Sequence, residues 1–154
     1  EGQLPTVIRL AETGSATALA EQAADPTYAN ARSLADALRA LPEPGRILVD
    51  EQYADHLVVL SGQFGRFITS RDSDYREVIA DPSKGAAYVL VGNVAAGQGI
   101  LATQRPELFD IGAEGLQLAG EWPGTRVETW RLYEVTNRAA EALVPPSPAS
   151  DTGQ

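Results

Sequence analysis

Arg46-Ile-Leu-Val-Asp50 and, further along the chain, Ala87-Tyr-Val-Leu-Val-Gly92 are the stretches of sequence that decide the fold. Each is a short apolar run rich in β-branched residues. Pro44-Gly45 precedes the first run and Ser83-Lys84-Gly85 precedes the second. Runs of this kind are typical of strands that are buried on both faces of a sheet. The helical patterns between them predict parallel βα units and therefore an α/β protein.

Helical periodicity predicts helices before, between and after these strands. The second helix is predicted over 52–60 and closes at Ser61-Gly62, while Asp81-Pro82 ends the third. Shorter helices are predicted near 99–104 and from Pro106. The apolar positions that recur at helical spacing are Ala31, Leu34, Leu38 and Leu41 in the first helix, Tyr53, Leu57 and Leu60 in the second, and Tyr75, Val78 and Ile79 in the third.

The predicted fold class is a three-layer, Rossmann-like α/β domain with a mixed sheet. Its parallel strands are expected near 46–50, 66–69 and 86–91, with helices on both faces because crossovers are right-handed. A C-terminal β-hairpin is expected near 116–135, around a turn at Pro123-Gly124. The hairpin adds at least one antiparallel strand to the sheet.

Composition divides the chain into three parts. Residues 1–26 are predicted to be a linker with a partly helical segment, 27–137 the α/β domain, and 138–154 a short helix followed by a disordered tail. The sequence contains no Met and begins at Glu1, which favours a fragment or processed product of a longer protein. No stretch approaches the ~20 continuous apolar residues that a membrane-spanning helix needs.

Charge and cysteine content argue against several classes of function. The 154 residues carry a formal net charge of −9, which disfavours nucleic-acid partners and anionic lipid because their phosphates would be repelled. The absence of Cys excludes disulfides, thiolate nucleophiles and zinc held by Cys. We therefore expect no nucleic-acid partner.

His56 is the only histidine, so any triad or metal site based on His would have to use it. Asp50 ends a predicted strand, at the edge where open α/β sheets bind ligands. One interpretation makes Asp50 and His56 an acid/base or ligand pair. The preferred interpretation is that Asp50 caps the following helix while Asp55 and His56 lie on its solvated face.

Two further motifs are weaker. Gly97-Gln-Gly-Ile-Leu-Ala102 matches the G-x-G-x-x-A dinucleotide pattern, but Gly92 to Ala96 separate it from the strand, and the first Gly should follow the strand directly. A flexible loop is preferred there. Asp72, Asp74 and Glu77 are oxygen ligands that suit Mg²⁺ or Ca²⁺, yet acids are common near helix N-termini because of the helix dipole.

The aromatic residues Trp122, Trp130 and Tyr133 would suit a sugar-stacking face, although packing on the sheet is preferred at this spacing. The sequence thus predicts no catalytic residue, no metal site and no cofactor. The residues expected to contact a ligand are those at strand C-terminal ends, namely Asp50, Thr69, Gly92 and Asn93.

Seven motifs from about Ser33 to Val135 occur in an order that resembles a known family. They are Leu34-Ala-Asp-Ala-Leu-Arg-Ala-Leu-Pro42, Gly45-Arg-Ile-Leu-Val-Asp50, Phe67-Ile-Thr69, Asp74-Tyr75, Tyr88-Val-Leu-Val91, Pro106-Glu-Leu108 before Gly112, and Trp130-Arg-Leu-Tyr-Glu-Val135. Together they resemble the extracytoplasmic C-terminal domain of polytopic membrane glycosyltransferases, the dolichyl- or polyprenyl-phosphate mannosyltransferase-like proteins of actinobacteria and their relatives.

The resemblance implies a parent glycosyltransferase with many membrane helices N-terminal to this chain and catalytic carboxylates in membrane-proximal loops. None of those catalytic residues matches a position of this sequence. The chain would be a non-catalytic, soluble domain on the extracytoplasmic face of the membrane, in contact with the membrane-embedded N-terminal region of the same protein and with a carbohydrate or protein acceptor.

Two alternatives stay open at this point. The first is an independent α/β module that binds a small molecule or nucleotide through the strand ends at Asp50, Thr69, Gly92 and Asn93. The second is a hydrolase centred on Asp50 and His56.

Overall fold

The computed structural model describes residues 26–42, 45–95 and 98–137. Of the predicted N-terminal linker only Pro26 is described, and the predicted tail over 138–154 lies outside the described residues. The helices are α1 (Ala29–Arg39), α2 (Glu51–Ser61), α3 (Tyr75–Ala80), α4 (Ile100–Gln104) and α5 (Glu107–Asp110). The strands are β1 (Ile47–Val49), β2 (Phe67–Ile68), β3 (Tyr88–Gly92), β4 (Leu116–Pro123) and β5 (Thr129–Val135).

The five strands form one mixed sheet in the order β2-β1-β3-β5-β4. Strand β1 is central to the parallel part, because Ile47 pairs with Phe67 of β2 and with Tyr88 of β3. Strand β5 then runs antiparallel to both β3 and β4. The predicted α/β fold, with three parallel strands and a C-terminal hairpin, is confirmed.

Two hydrophobic cores lie on opposite faces of the sheet. On the first face, α1 and α2 pack over Ile47, Val49 and Leu90. On the second face, α3, α4 and α5 cover Leu48 and Val89. Because every residue of β1 and β3 is buried, the apolar runs of the sequence are explained by the two helical layers rather than by alternation.

Helix α2 has a wider buried face than predicted. It buries Ala54, His56 and Leu57, whereas Tyr53 and Leu60, which the periodicity placed beside Leu57, are only half-buried. The burial of His56 contradicts its expected position on the solvated face. The inward face of α2 packs against α1 as well as the sheet, so it is wider than one row of residues.

The hairpin differs from the sequence prediction at its turn. Pro123 belongs to β4, and the connection is a loop over 124–128 that closes when the amide of Gly124 donates to the carbonyl of Glu128 at 3.0 Å. Strand β5 contributes to both cores. Trp130 and Leu132 belong to the first, and Tyr133 and Val135 belong to the second.

Candidate functional site

The C-terminal ends of β1, β2 and β3 lie at one edge of the sheet and carry the candidate residues Asp50, Thr69, Gly92 and Asn93. The chain leaves β1 toward β2 and then crosses back past β1 to form β3. The point between β1 and β3 is therefore the topological switch point, where open α/β sheets bind ligands. Asp50 and Gly92 flank this point, while Thr69 follows the edge strand.

The side chain of Asp50 is hydrogen-bonded to the backbone of α4. Its carboxylate is buried, and Oδ2 accepts a hydrogen bond from the amide of Leu101 at 3.2 Å. Burial raises the pKa of Asp50, an effect that the nearby amides of Leu101, Gln52 and Ile100 partly offset. Asp50 does stand at the N-cap of α2, but its side chain makes no capping hydrogen bond there. Its carboxylate joins two segments of the chain.

Gly99 shows why a glycine is needed beside this carboxylate. Its φ is +82°, and a Cβ added at this position would collide with Oδ2 of Asp50. The second glycine of the G-x-G-x-x-A motif therefore allows the backbone to approach Asp50, in a region of φ that favours glycine. Gly97, the first glycine of the motif, lies outside the described residues. The following residues form α4, in agreement with the short helix predicted near 99–104.

The strand-end crevice is the depression at the switch point. Its volume is about 10 Å³, which accommodates about one water molecule. Small-molecule sites measure ~300–1,000 Å³, so the crevice in this conformation has no room for a nucleotide. The residues that line it include Asp50, Tyr53, Val91, Gly92, Leu101 and Trp130.

Gly92 and Asn93 serve the packing of β3 against the hairpin. A Cβ at Gly92 would lie 3.0 Å from Val127 and 3.1 Å from Trp130, so the absence of a side chain permits this close approach. The side chain of Asn93 is exposed. The backbone amide of Asn93 donates to the carbonyl of Thr129 at 2.9 Å. The crevice is thus closed on this side by the chain's own residues.

His56 does not form a pair with Asp50. Its side chain is 3% exposed, and neither ring nitrogen has a hydrogen-bond partner among the residues that the structure describes. The ring packs edge-on against Tyr28, with the centroids 6.5 Å apart, on the first face of the sheet. Asp50 bonds to α4 on the second face, where its charge also affects Tyr75. The contacts of the two residues give no acid/base dyad.

The surroundings of His56 favour its neutral form. Burial lowers the pKa of His56, and the positive charge of Arg126 lowers it further. Asp55 acts in the opposite direction, with Oδ1 at 3.5 Å from Nδ1 of His56. That carboxylate is held by the Arg126 guanidinium at 2.5 Å. Asp55 is exposed, as expected from the sequence, although His56 is not.

The acidic residues near α3 are engaged in ion pairs and turns. Arg46 contacts Asp74 at 2.6 Å and Asp72 at 3.7 Å, and Lys84 contacts Glu77 at 3.1 Å. The hydrogen bond from Arg46 lowers the pKa of Asp74. Asp72 also accepts a hydrogen bond from the amide of Thr69 at 2.9 Å. These acidic side chains therefore have structural contacts near the start of α3.

Of the three aromatic residues of the hairpin, Trp122 and Trp130 pack toward one face of the sheet and Tyr133 toward the other. Trp130 is 1% exposed in the first core and Tyr133 is 5% exposed in the second. Trp122 is half-buried and pairs with Trp130 across the two strands. The preferred interpretation, packing on the sheet, accounts for all three residues.

A second depression, which the sequence analysis missed, lies beside the edge strand. We call it the edge groove. It is lined by the outer side of α2 from Glu51 to Val59, by Phe64 and Gly65, and by the chain from Phe67 to Asp72. Its volume is about 580 Å³, within the range of ligand sites. Thr69 is the only one of the four strand-end residues among those that line it.

Phe64 is the most conspicuous residue of the edge groove, because its side chain is 62% exposed. It stands in a short 3-10 turn whose last residue, Arg66, is buried. Arg66 donates to the carbonyls of Gly45 at 2.6 Å and Pro42 at 2.7 Å. The turn is therefore anchored through Arg66 while Phe64 faces outward. An apolar residue between Gly62 and Gly65 was the available sequence signal.

Comparisons with known proteins give no match: no family model, curated protein or solved structure is significantly similar to this chain. Among the helices in the described ranges, none is long and apolar enough to cross a membrane. The same ranges contain no group of three or more His, Cys, Asp or Glu side chains placed to hold a metal ion. The strand-end crevice and the edge groove are therefore the features of this chain that bear on its function.

Proposed function

We propose that this chain is a non-catalytic binding domain of a membrane glycosyltransferase-like protein, placed on the extracytoplasmic face and contacting an acceptor or partner through the edge groove. The observation that carries the proposal is a contrast between the side chains that could act in catalysis and the edge groove. Residues with catalytic chemistry hold the fold together, whereas the edge groove leaves about 580 Å³ open.

The contacts of Asp50, His56 and Asp74 support the non-catalytic part of the proposal. A general acid or base must reach the reacting group of a substrate. Asp50 instead binds the amide of Leu101, and His56 is enclosed between helices. Asp74 is held by Arg46. Using Asp50 or His56 in catalysis would require the surrounding packing to open, and using Asp74 would require its ion pair with Arg46 to break.

The family assignment is supported by where the resembling motifs fall. The motif that begins at Leu34 overlaps the C-terminal part of α1, and the motif that ends at Asp50 contains β1. The three later apolar motifs fall on β2, β3 and β5 in the same order. Five of the seven motifs therefore fall on α1 and on four strands of one sheet.

The first experiment recovers the complete reading frame and assays the full-length protein in membranes. We expect hydrophobic segments of ~20 residues upstream of Glu1, and transferase turnover that persists in a His56→Gln variant expressed at the same level. A reading frame without such segments would refute the membrane assignment. Turnover by the isolated chain that disappears in His56→Gln would refute its non-catalytic role.

The alternative of a small-molecule module also has a supporting observation, namely that Thr69 lines a groove of suitable size. The proposed function and this alternative differ in the ligand that the chain binds. The first has an acceptor or partner, and the second has a small molecule or nucleotide. Titration of the chain with these ligands, followed by amide chemical shifts, should move Thr69 and Phe64 if the alternative is right. Shifts at Gly92 and Asn93 would instead indicate that the strand-end crevice opens to admit a ligand.

A further inference from the structure

The edge groove combines an apolar lining with three carboxylates, of which only that of Glu51 has no cationic partner among the described residues. Val58 and Val59 on α2 face Phe64 and Phe67 across it. Phe67 is 4% exposed and belongs to the first core, whereas Phe64 is largely exposed. An exposed aromatic ring beside aliphatic side chains is a favourable surface for an apolar anchor from a partner.

The charged groups of the groove define which partner is favoured. Glu51, Asp55 and Asp72 line it together with a single cation, Arg71. Asp55 and Asp72 have cationic neighbours behind the groove, in Arg126 and Arg46. The Glu51 carboxylate instead accepts from the hydroxyl of Ser70 at 2.5 Å, and it has no cationic partner within the described ranges.

Two other kinds of occupant are disfavoured by the same residues. An anionic lipid surface would be repelled by the net charge of −9 and by the Glu51 carboxylate. An added β-strand would gain few backbone hydrogen bonds, because the amide of Phe67 already donates to Phe64 and that of Thr69 to Asp72. Side-chain recognition is left as the mode of binding.

We infer that the edge groove docks a cationic protein segment, with an aliphatic or aromatic side chain against Phe64 and a Lys or Arg beside Glu51. The inference rests on the proposed function, since it names the chemistry of the partner for the same groove. Burial of the anchor supplies affinity, and the charges select the partner and raise the association rate.

The test uses the full chain and two matched peptides. One peptide alternates Lys and Leu over five residues, and the other carries Glu in place of Lys. Binding is followed by amide shifts at Val58, Phe64 and Thr69. We expect the Lys peptide to bind about tenfold more tightly at low salt, with the difference declining as salt is raised.

Variants of the groove sharpen the test. Phe64→Ala should abolish the shifts, and Glu51→Gln should weaken binding of the Lys peptide. Arg71→Gln should strengthen it, because the only cation of the lining is removed. Ile111→Ala is the matched control, since Ile111 is 84% exposed and does not line the groove; it should leave binding unchanged.

Several outcomes would overturn the inference. Equal binding of both peptides, or shifts that survive Phe64→Ala, would show that the groove does not select a cationic segment. Self-association of the chain that disappears in Phe64→Ala would assign the groove to a second copy instead. If the peptides fail while the reading frame encodes upstream membrane helices, this inference falls and the proposed function stands.

Discussion

The strand-end crevice and the edge groove are both concave, yet the chain treats them in opposite ways. The crevice lies at the switch point of the sheet and is filled by Leu101 and Trp130, each 1% exposed. The groove lies beside the edge strand and leaves Phe64 uncovered. The lesson is that topology indicates where a ligand can bind, but side-chain packing decides whether that place is open.

The largest expected effect comes from emptying the crevice. Trp130→Ala removes a buried indole from the first core and should lower the free energy of unfolding by about 3–5 kcal/mol. Urea denaturation measures the loss. Trp122→Ala, at the half-buried partner position, is the control and should cost clearly less. A loss below about 1 kcal/mol for Trp130→Ala would show that the crevice is not part of the packed core.

Gly99→Ala tests the approach of the backbone to Asp50. The substitution combines a strained positive φ with a collision, and it should lower the free energy of unfolding by about 2–3 kcal/mol. Gly62→Ala is the matched control, because φ is +69° there but nothing lies within 4 Å of the added Cβ. If the two variants lose the same stability, the contact with Asp50 has no role.

The pH dependence of stability reports on His56. Burial lowers the pKa of His56 in the folded state, so the unfolded chain binds a proton more readily. Stability is therefore full above the unfolded value of about 6.5 and declines as pH falls below it, by at most about 1.4 kcal/mol per pH unit. Denaturation from pH 7 to pH 5 measures the slope.

His56→Leu provides the comparison for that slope, because no other histidine is present. The variant should lose stability less steeply between pH 7 and pH 5. The charged and titratable groups around the ring are Asp55, Arg126 and Tyr28. An identical slope in both proteins would show that His56 is protonated as easily in the folded chain as in the unfolded one.

The smallest expected effect is at the edge groove. Phe64→Ala should change the free energy of unfolding by no more than about 0.5 kcal/mol, because the ring is 62% exposed. Phe67→Ala, only three residues away and 4% exposed, should cost about 3–5 kcal/mol. A large loss in Phe64→Ala would mean that the groove residue supports the fold and is not reserved for a partner.

The sequence predicted the elements of the sheet well, because each parallel strand is an apolar run between helical patterns. The buried stripes of α1 and α3 were also predicted from helical spacing, as Leu34, Leu38, Val78 and Ile79 confirm. The order in which strands pair was not, since neighbouring strands are selected by long-range packing that no local pattern encodes.

The candidate site was less predictable, for a related reason. Asp50 was correctly placed at a strand end, but its bond to Leu101, 51 residues away, depends on the tertiary fold. His56 was expected on the solvated face because it is polar, and packing against Tyr28 overrides that preference. The edge groove joins residues from α2 to Asp72, which only the folded chain brings together.

Strand β5 determines where this chain can be shortened or grafted. Because Trp130 and Leu132 face one helical layer while Tyr133 and Val135 face the other, truncation before Thr129 would strip both layers at once. A minimal domain for crystallisation or for exchange between proteins must therefore retain the chain through Val135. Insertions are better tolerated in the loop at 124–128, which lies between the two hairpin strands.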